Sequence, residues 1–178
     1  MGAGKNRVFC FLERSADMTE AYVVSHWHHL VENFQYSTDD FYSSIEESIR
    51  RRLLPKCDAN RVIIREGGLF SATREYLRVI HQGYIFDICA APYGTGFFVS
   101  WRLAEIPAGS LTVIPYIGWI FRIFIKPTTY YKIDIALMFQ QSIHNSILET
   151  LDGITQTKGI RALSETERKP ILRDFFGR

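Results

Sequence analysis

The sequence predicts an α+β domain built on an antiparallel sheet. Between residues 61 and 103, four alternating apolar stretches are separated by turns too short to hold a crossover helix, so neighbouring strands must run antiparallel. Ahead of that run, two stretches place apolar residues at helical spacing behind capping signals. Behind it, residues 130–156 carry an apolar stripe wide enough to pack on a sheet. The expected architecture is a single domain over residues 1–178: a four-stranded antiparallel meander packed with two N-terminal helices and one long C-terminal helix. A chain of this length can bury about 70% of its unfolded surface, so no disulfide or metal staple is required.

Residues 1–6 are small and polar and read as a loose end, with a short strand over 7–12. Asp17 and Glu20 have the spacing of a capping box, and Ala21, Val24, Trp27 or His28, Val31 and Phe34 follow at helical intervals, which predicts a first helix over 18–34. Ser37 or Thr38 caps a second helix, on which Phe41, Ile45, Ile49 and Leu53 form one stripe and Pro55 lies just past the end. Arg50, Arg51 and Arg52 then stand near its C-terminus, where cations complement the helix dipole.

The sheet is expected to begin at Val62, Ile63 and Ile64, with Gly67 and Gly68 as a turn. Over 73–80, Arg74, Tyr76 and Arg78 share one face, and Glu75, Leu77 and Val79 share the other. Gln82 and Gly83 close a hairpin into residues 84–90, where Tyr84, Phe86 and Ile88 oppose Ile85, Asp87 and Cys89. The turn Tyr93-Gly94-Thr95-Gly96 leads to a last strand with Phe97, Val99 and Trp101 on one face and Phe98, Ser100 and Arg102 on the other. Asp87 lies in an apolar strand and needs a partner, which Arg74 or Arg78 on the neighbouring strand is placed to supply.

Thr128 or Thr129 caps the long helix, whose stripe is Ile133, Leu137, His144, Leu148 and Leu151, broadened by Ala136, Phe139, Ile143, Ile147 and Ile154. Gly159 terminates it. Ser164 and Glu167 form another capping-box pair, and Ile171, Leu172, Phe175 and Phe176 give the tail a short apolar face.

Residues 104–127 form an apolar insertion flanked by Pro and Gly, and within it 111–125 hold a single charge, Arg122. A membrane span needs about 20 apolar residues, and Pro115 and Gly118 weaken a straight helix. A segment lying in the membrane interface fits better. Tyr116 and Trp119 suit headgroup level, Ile120 and Phe124 add apolar contact, and Arg122 and Lys126 reach towards anionic lipid. Cover for the second face of the sheet, or a protein contact, is the competing use.

Composition narrows the function classes. A net charge of +2, with seven Lys or Arg against four Asp or Glu over 61–127, is too weak a footprint for nucleic acid. Cys10, Cys57 and Cys89 are odd in number and lack C-x-x-C spacing, which argues against a disulfide framework and suits a reducing compartment. The N-terminus lacks a signal-like apolar run, so a cytoplasmic location, at the inner face of a membrane, is the expectation. On a helix His26 and His29 share a face, as do His28 and Glu32, without a third ligand for a metal. No cofactor is implied.

Three readings follow. The first is a non-enzymatic membrane-peripheral or membrane-anchored domain that contacts lipid through 111–125. The second is a soluble scaffold or assembly subunit whose exposed aromatics bind a protein partner or a second copy. The third is a small-ligand binder or enzyme with a pocket between sheet and long helix around Arg74, Arg78, Asp87 and His144. For this last reading no nucleophile and base stand at a recognisable spacing.

Overall fold

The computed structural model of the protein describes residues 22–65, 73–106 and 129–172. Among them the elements are β1 (Tyr22–Val31), α1 (Thr38–Arg51), β2 (Asp58–Arg65), β3 (Thr73–His81), β4 (Tyr84–Tyr93), β5 (Gly96–Glu105), α2 (Tyr130–Thr157) and a two-residue β6 (Ile171–Leu172). They form one antiparallel sheet in the order β2-β3-β4-β5-β1-β6, with both helices on one face.

The expected α+β class and the β2–β5 meander are present, but the sheet gains a fifth long strand and loses a helix. Residues 22–31 are strand, not the helix expected over 18–34. The misleading signal has a local cause. A bulge lies between Val23 and Ser25 in the pairing of β1 with β5. It turns the side chain of Val24 inward one residue early, so the buried Val24, Trp27 and Val31 fall at intervals of three and four, which imitates a helix. Past the bulge the period of two returns: Ser25, Trp27 and Val31 are buried while His28 and Leu30 are exposed.

Helix α1 begins as expected, with the Ser37 hydroxyl accepting from the Asp40 N–H at 3.3 Å. It stops at Arg51, and Leu53, placed on the stripe by its spacing, has a left-handed φ of 50° and is 84% exposed. Phe41, Tyr42, Ile45 and Ile49 are buried. The Tyr42 hydroxyl donates to the Glu75 carbonyl and accepts from the Ala90 N–H, both at 3.0 Å, tying α1 to β3 and β4. The β3–β4 hairpin turns on Gln82 and Gly83, both at positive φ, as a tight two-residue hairpin requires.

Helix α2 is longer than the sheet is wide and buries Ala136, Phe139, Gln140, Ile143, His144, Ile147 and Leu151. Leu137, expected on the central stripe, lies at the margin and is 38% exposed. The two helices meet where Ser48 and Arg52 bond to Glu149 at 3.2 and 2.8 Å. Beneath them lie Leu77, Val79, Phe86, Ile88, Phe97, Val99, Trp101 and Leu103, all fully buried. Each such aliphatic or aromatic side chain is worth about 1.5–3 kcal/mol relative to exposure. The Ser164–Glu167 pair closes a turn, with the Ser164 N–H donating to Glu167 Oε2 at 2.7 Å, but among the described residues no helix follows it. The predicted strand at 7–12, the turn at Gly67 and Gly68, and Phe175 and Phe176 lie outside the described residues.

Candidate functional site

The described residues stop at Ile106 and resume at Thr129, and the residues flanking that interval fasten to consecutive residues of one hairpin. The Ile106 N–H donates to the Gly83 carbonyl at 2.8 Å. The Tyr84 hydroxyl donates to the Lys132 carbonyl in the first turn of α2, at 3.1 Å. The β3–β4 hairpin is therefore a collar that holds Ile106 and the first turn of α2 together. Tyr130 and Tyr131, in the first turn of α2, are 81% and 68% exposed, and Met138 further along α2 is exposed as well. These exposed aromatics were not singled out by spacing; the signal was the Tyr130-Tyr131 pair that follows Lys126-Pro127-Thr128-Thr129. The contact residues expected within the segment, Tyr116, Trp119, Ile120, Arg122, Phe124 and Lys126, lie outside the described residues.

The face of the sheet away from the helices is organised in rows by the strand register. Nearest the collar is a row in which Asp58 pairs with Ile80, Ile80 with Ile85, Ile85 with Ala104 and Ala104 with Val23. The next row is charged: Arg78 opposes Asp87, Asp87 opposes Arg102, and Arg102 opposes His26. Arg78 grips Asp87 through two bonds, Nε to Oδ1 at 2.7 Å and Nη2 to Oδ2 at 2.9 Å, with both side chains largely buried. Below it Cys89 opposes Ser100, which opposes His28. Arg74 does not reach Asp87; its guanidinium lies 3.9 Å from the Cys89 sulfur. Burial pushes the Cys89 thiol up despite Arg74 and Arg102 nearby, so it is held as an inert thiol and not as a nucleophile.

His144 belongs to the other side. It sits under α2 between Trp27 and Trp101, with ring centroids 5.4 Å from each. The expected pocket joining Arg74, Arg78 and Asp87 to His144 therefore does not form, because the sheet itself separates them. Trp101 Nε1–H donates to His144 Nδ1 at 3.0 Å, and indole is only a donor, so Nδ1 carries no proton. Nε2–H then donates to the Arg168 carbonyl at 2.7 Å. Trp27 Nε1–H makes a parallel bond to the Glu167 carbonyl at 2.6 Å, and Arg168 grips Asp152 at 2.7 and 3.0 Å. These bonds strap residues 163–170 across β1 and α2.

Burial lowers the His144 pKa below its ordinary 6.5, opposed by the Arg168 carbonyl and assisted by the Arg168 charge. His29, stacked on Trp27, is lowered as well, chiefly by burial. The folded state therefore binds fewer protons than the unfolded chain. Their contribution to stability is complete above pH 6.5 and is lost as pH falls below it. Glu167, held down to about 2 by the Ser164 hydroxyl and N–H, stays ionised through that window. Chemical denaturation at pH 7.5 and 5.5 is expected to show a stability loss on acidification that His144→Gln, which keeps a donor and an acceptor without titrating, reduces by about half.

Comparison of the chain with protein-family models, with curated proteins and with solved structures finds no match. Its own residues carry the functional reading. His26 and His28 lie on the outer face of β1 and His29 on the inner one, so the helical pairing of His26 with His29 is overturned by the strand. Among the described residues no three His, Cys, Asp or Glu groups are placed to hold a metal ion, and no helix is long and apolar enough to cross a membrane. A shallow groove of about 390 Å³ between α2 and the strap is lined by Leu137, Met138, Gln140, Gln141 and Pro170, none of them titratable.

Proposed function

We propose that this protein is a membrane-peripheral domain on the cytoplasmic side, attached through residues 111–125 at the collar end of its sheet. The observation that carries the reading is the convergence of both ends of 107–128 on Gly83 and Tyr84, beside exposed Tyr130 and Tyr131. A segment whose two flanks are held at one hairpin can enter an interface without disturbing the sheet. Tyrosines at its base have the amphipathic character of residues at headgroup level.

The competing use, an apolar cover for the second sheet face, is opposed by that face's chemistry. Arg74, Arg102 and His28 are exposed there and would be desolvated beneath a segment with one charge, whereas Arg78 and Asp87 are already largely buried against each other. Stripping water from charges without new partners costs several kcal/mol each, more than the apolar contact returns.

Flotation with phosphatidylcholine vesicles tests the reading. The full chain is expected to float, and Trp119→Glu with Ile120→Glu to remain at the bottom of the gradient while unfolding at an unchanged temperature. Loss of cooperative unfolding in the double variant would assign the segment to the core. A folded wild-type protein that never floats, but self-associates through the same residues, would make it a protein contact.

A further inference from the structure

The hydrogen bonds around His144 admit one protonation state. Nδ1 accepts from Trp101 Nε1–H at 3.0 Å, and Nε2–H donates to the Arg168 carbonyl at 2.7 Å. A proton added at Nδ1 sets N–H against N–H, because the indole nitrogen is a donor only. Flipping the ring brings no relief, since an imidazolium is a donor at both nitrogens. The residue is 2% exposed and has an indole on either side, so the ring has no room to turn towards water.

Of the walls around this ring, the strap is the one able to yield. Trp27 and Trp101 stand on β1 and β5, which pair along most of their length, and α2 carries His144 itself. Residues 163–170 contain neither helix nor strand and lead into β6, which pairs with β1 at Ser25 and His26 alone. The strap is fastened by Trp27 at the Glu167 carbonyl, by His144 at the Arg168 carbonyl, and by the grip of Arg168 on Asp152. Segments with so few backbone bonds to their surroundings open locally, well before the whole domain unfolds.

We propose that His144 is a pH-operated latch, which holds the strap closed when neutral and releases residues 163–172 from β1 and α2 when protonated. Release bares the Trp27 indole and the stretch of β1 edge that β6 covers, and an uncovered strand edge is a template for another strand. The charges facing His144 favour this direction. From the strap, Arg168 repels a second positive charge, and Glu167 is turned into its own loop by Ser164 and Arg161. On α2 Asp152 is already taken by Arg168. On β1 the other titratable group is His29, stacked on Trp27, and the neighbouring inward residues of β5, Val99, Trp101 and Leu103, do not titrate. The closed form excludes the proton and the open form binds it, so opening grows as pH falls below 6.5, the ordinary value for histidine, and is unaffected above it. The latch does not depend on residues 111–125 or on a membrane.

Solvent exchange of the Trp27 indole N–H tests this in the full-length chain labelled with indole-¹⁵N tryptophan, at pH 7.5 and 5.5. Rates are divided by those of free tryptophan at each pH, which leaves the opening constant of the strap, and the α1 amides report global unfolding. One pH unit below its ordinary pKa a histidine freed by opening favours the open form by at most about tenfold. The wild-type opening constant should rise towards that limit at pH 5.5 while α1 stays protected. His144→Gln, which supplies an acceptor and a donor without titrating, should show the same opening at both pH values. Trp101→Phe should reduce the rise for the opposite reason, because its imidazolium meets no opposing N–H. His29→Gln should keep the rise. A wild-type change under about twofold overturns the latch. So does a rise that His144→Gln retains or His29→Gln abolishes, or one that the α1 amides share, since that is unfolding of the whole domain.

Discussion

Trp101→Ala is expected to remove about 3–5 kcal/mol of stability, enough to unfold a marginal domain at physiological temperature. Trp101 is fully buried at the centre of β5, with its ring 4.6 Å from that of Phe86 and edge-on to His144. Truncation leaves a cavity the size of an indole. It also strips the Trp101 N–H that satisfies His144 Nδ1, and that imidazole cannot simply change tautomer, because Nε2 must keep its proton for the Arg168 carbonyl. Trp101→Phe divides the two effects. The ring refills most of the cavity, so the loss should fall to about 1–3 kcal/mol, the cost of an unsatisfied buried acceptor. With Nδ1 freed, His144 accepts a proton more readily, and the stability loss between pH 7.5 and 5.5 should shrink relative to wild type. Urea denaturation at the two pH values measures both. An Ala variant that loses under 1 kcal/mol would refute the central place given to this residue.

Asp87→Ala is expected to cost about 3 kcal/mol. Arg78 and Asp87 face each other directly across β3 and β4, with side-chain exposures of 13% and 6%. Removing the carboxylate leaves the guanidinium charge in a largely dry position, the situation in which breaking a buried pair is most damaging. Replacing both residues, Arg78→Met with Asp87→Leu, removes charge and desolvation together and should recover most of the loss. The double-mutant cycle therefore predicts coupling of more than 1 kcal/mol. Additive losses would show that the pair is held by its surroundings and not by its own bond.

Which parts of this molecule were legible in advance follows from how local each signal is. Helix α1, its Ser37 cap, the Gln82–Gly83 hairpin, the two faces of β3, β4 and β5, and the Thr129 cap of α2 are written in residues within a few positions of one another. A cap or a tight turn needs no distant partner to be favourable. That Asp87 required a cation was equally plain, because an unpaired carboxylate on an apolar strand is expensive wherever the strand sits. Residues 22–31 were misread because one bulged residue, Val24, shifts a period of two into the intervals of a helix, and only pairing with β5 decides between them. Arg78 rather than Arg74 meets Asp87 because hairpin register, not residue type, sets who stands opposite whom. His144 joins Trp27 and Trp101, and not the arginines, because α2 lies on the far side of the sheet. The collar at Gly83 and Tyr84 and the graded rows of the outer face draw on residues that are distant in sequence. Long-range pairing alone brings them together, since backbone hydrogen bonding fixes which strands are neighbours while the sequence of each strand specifies only its two faces.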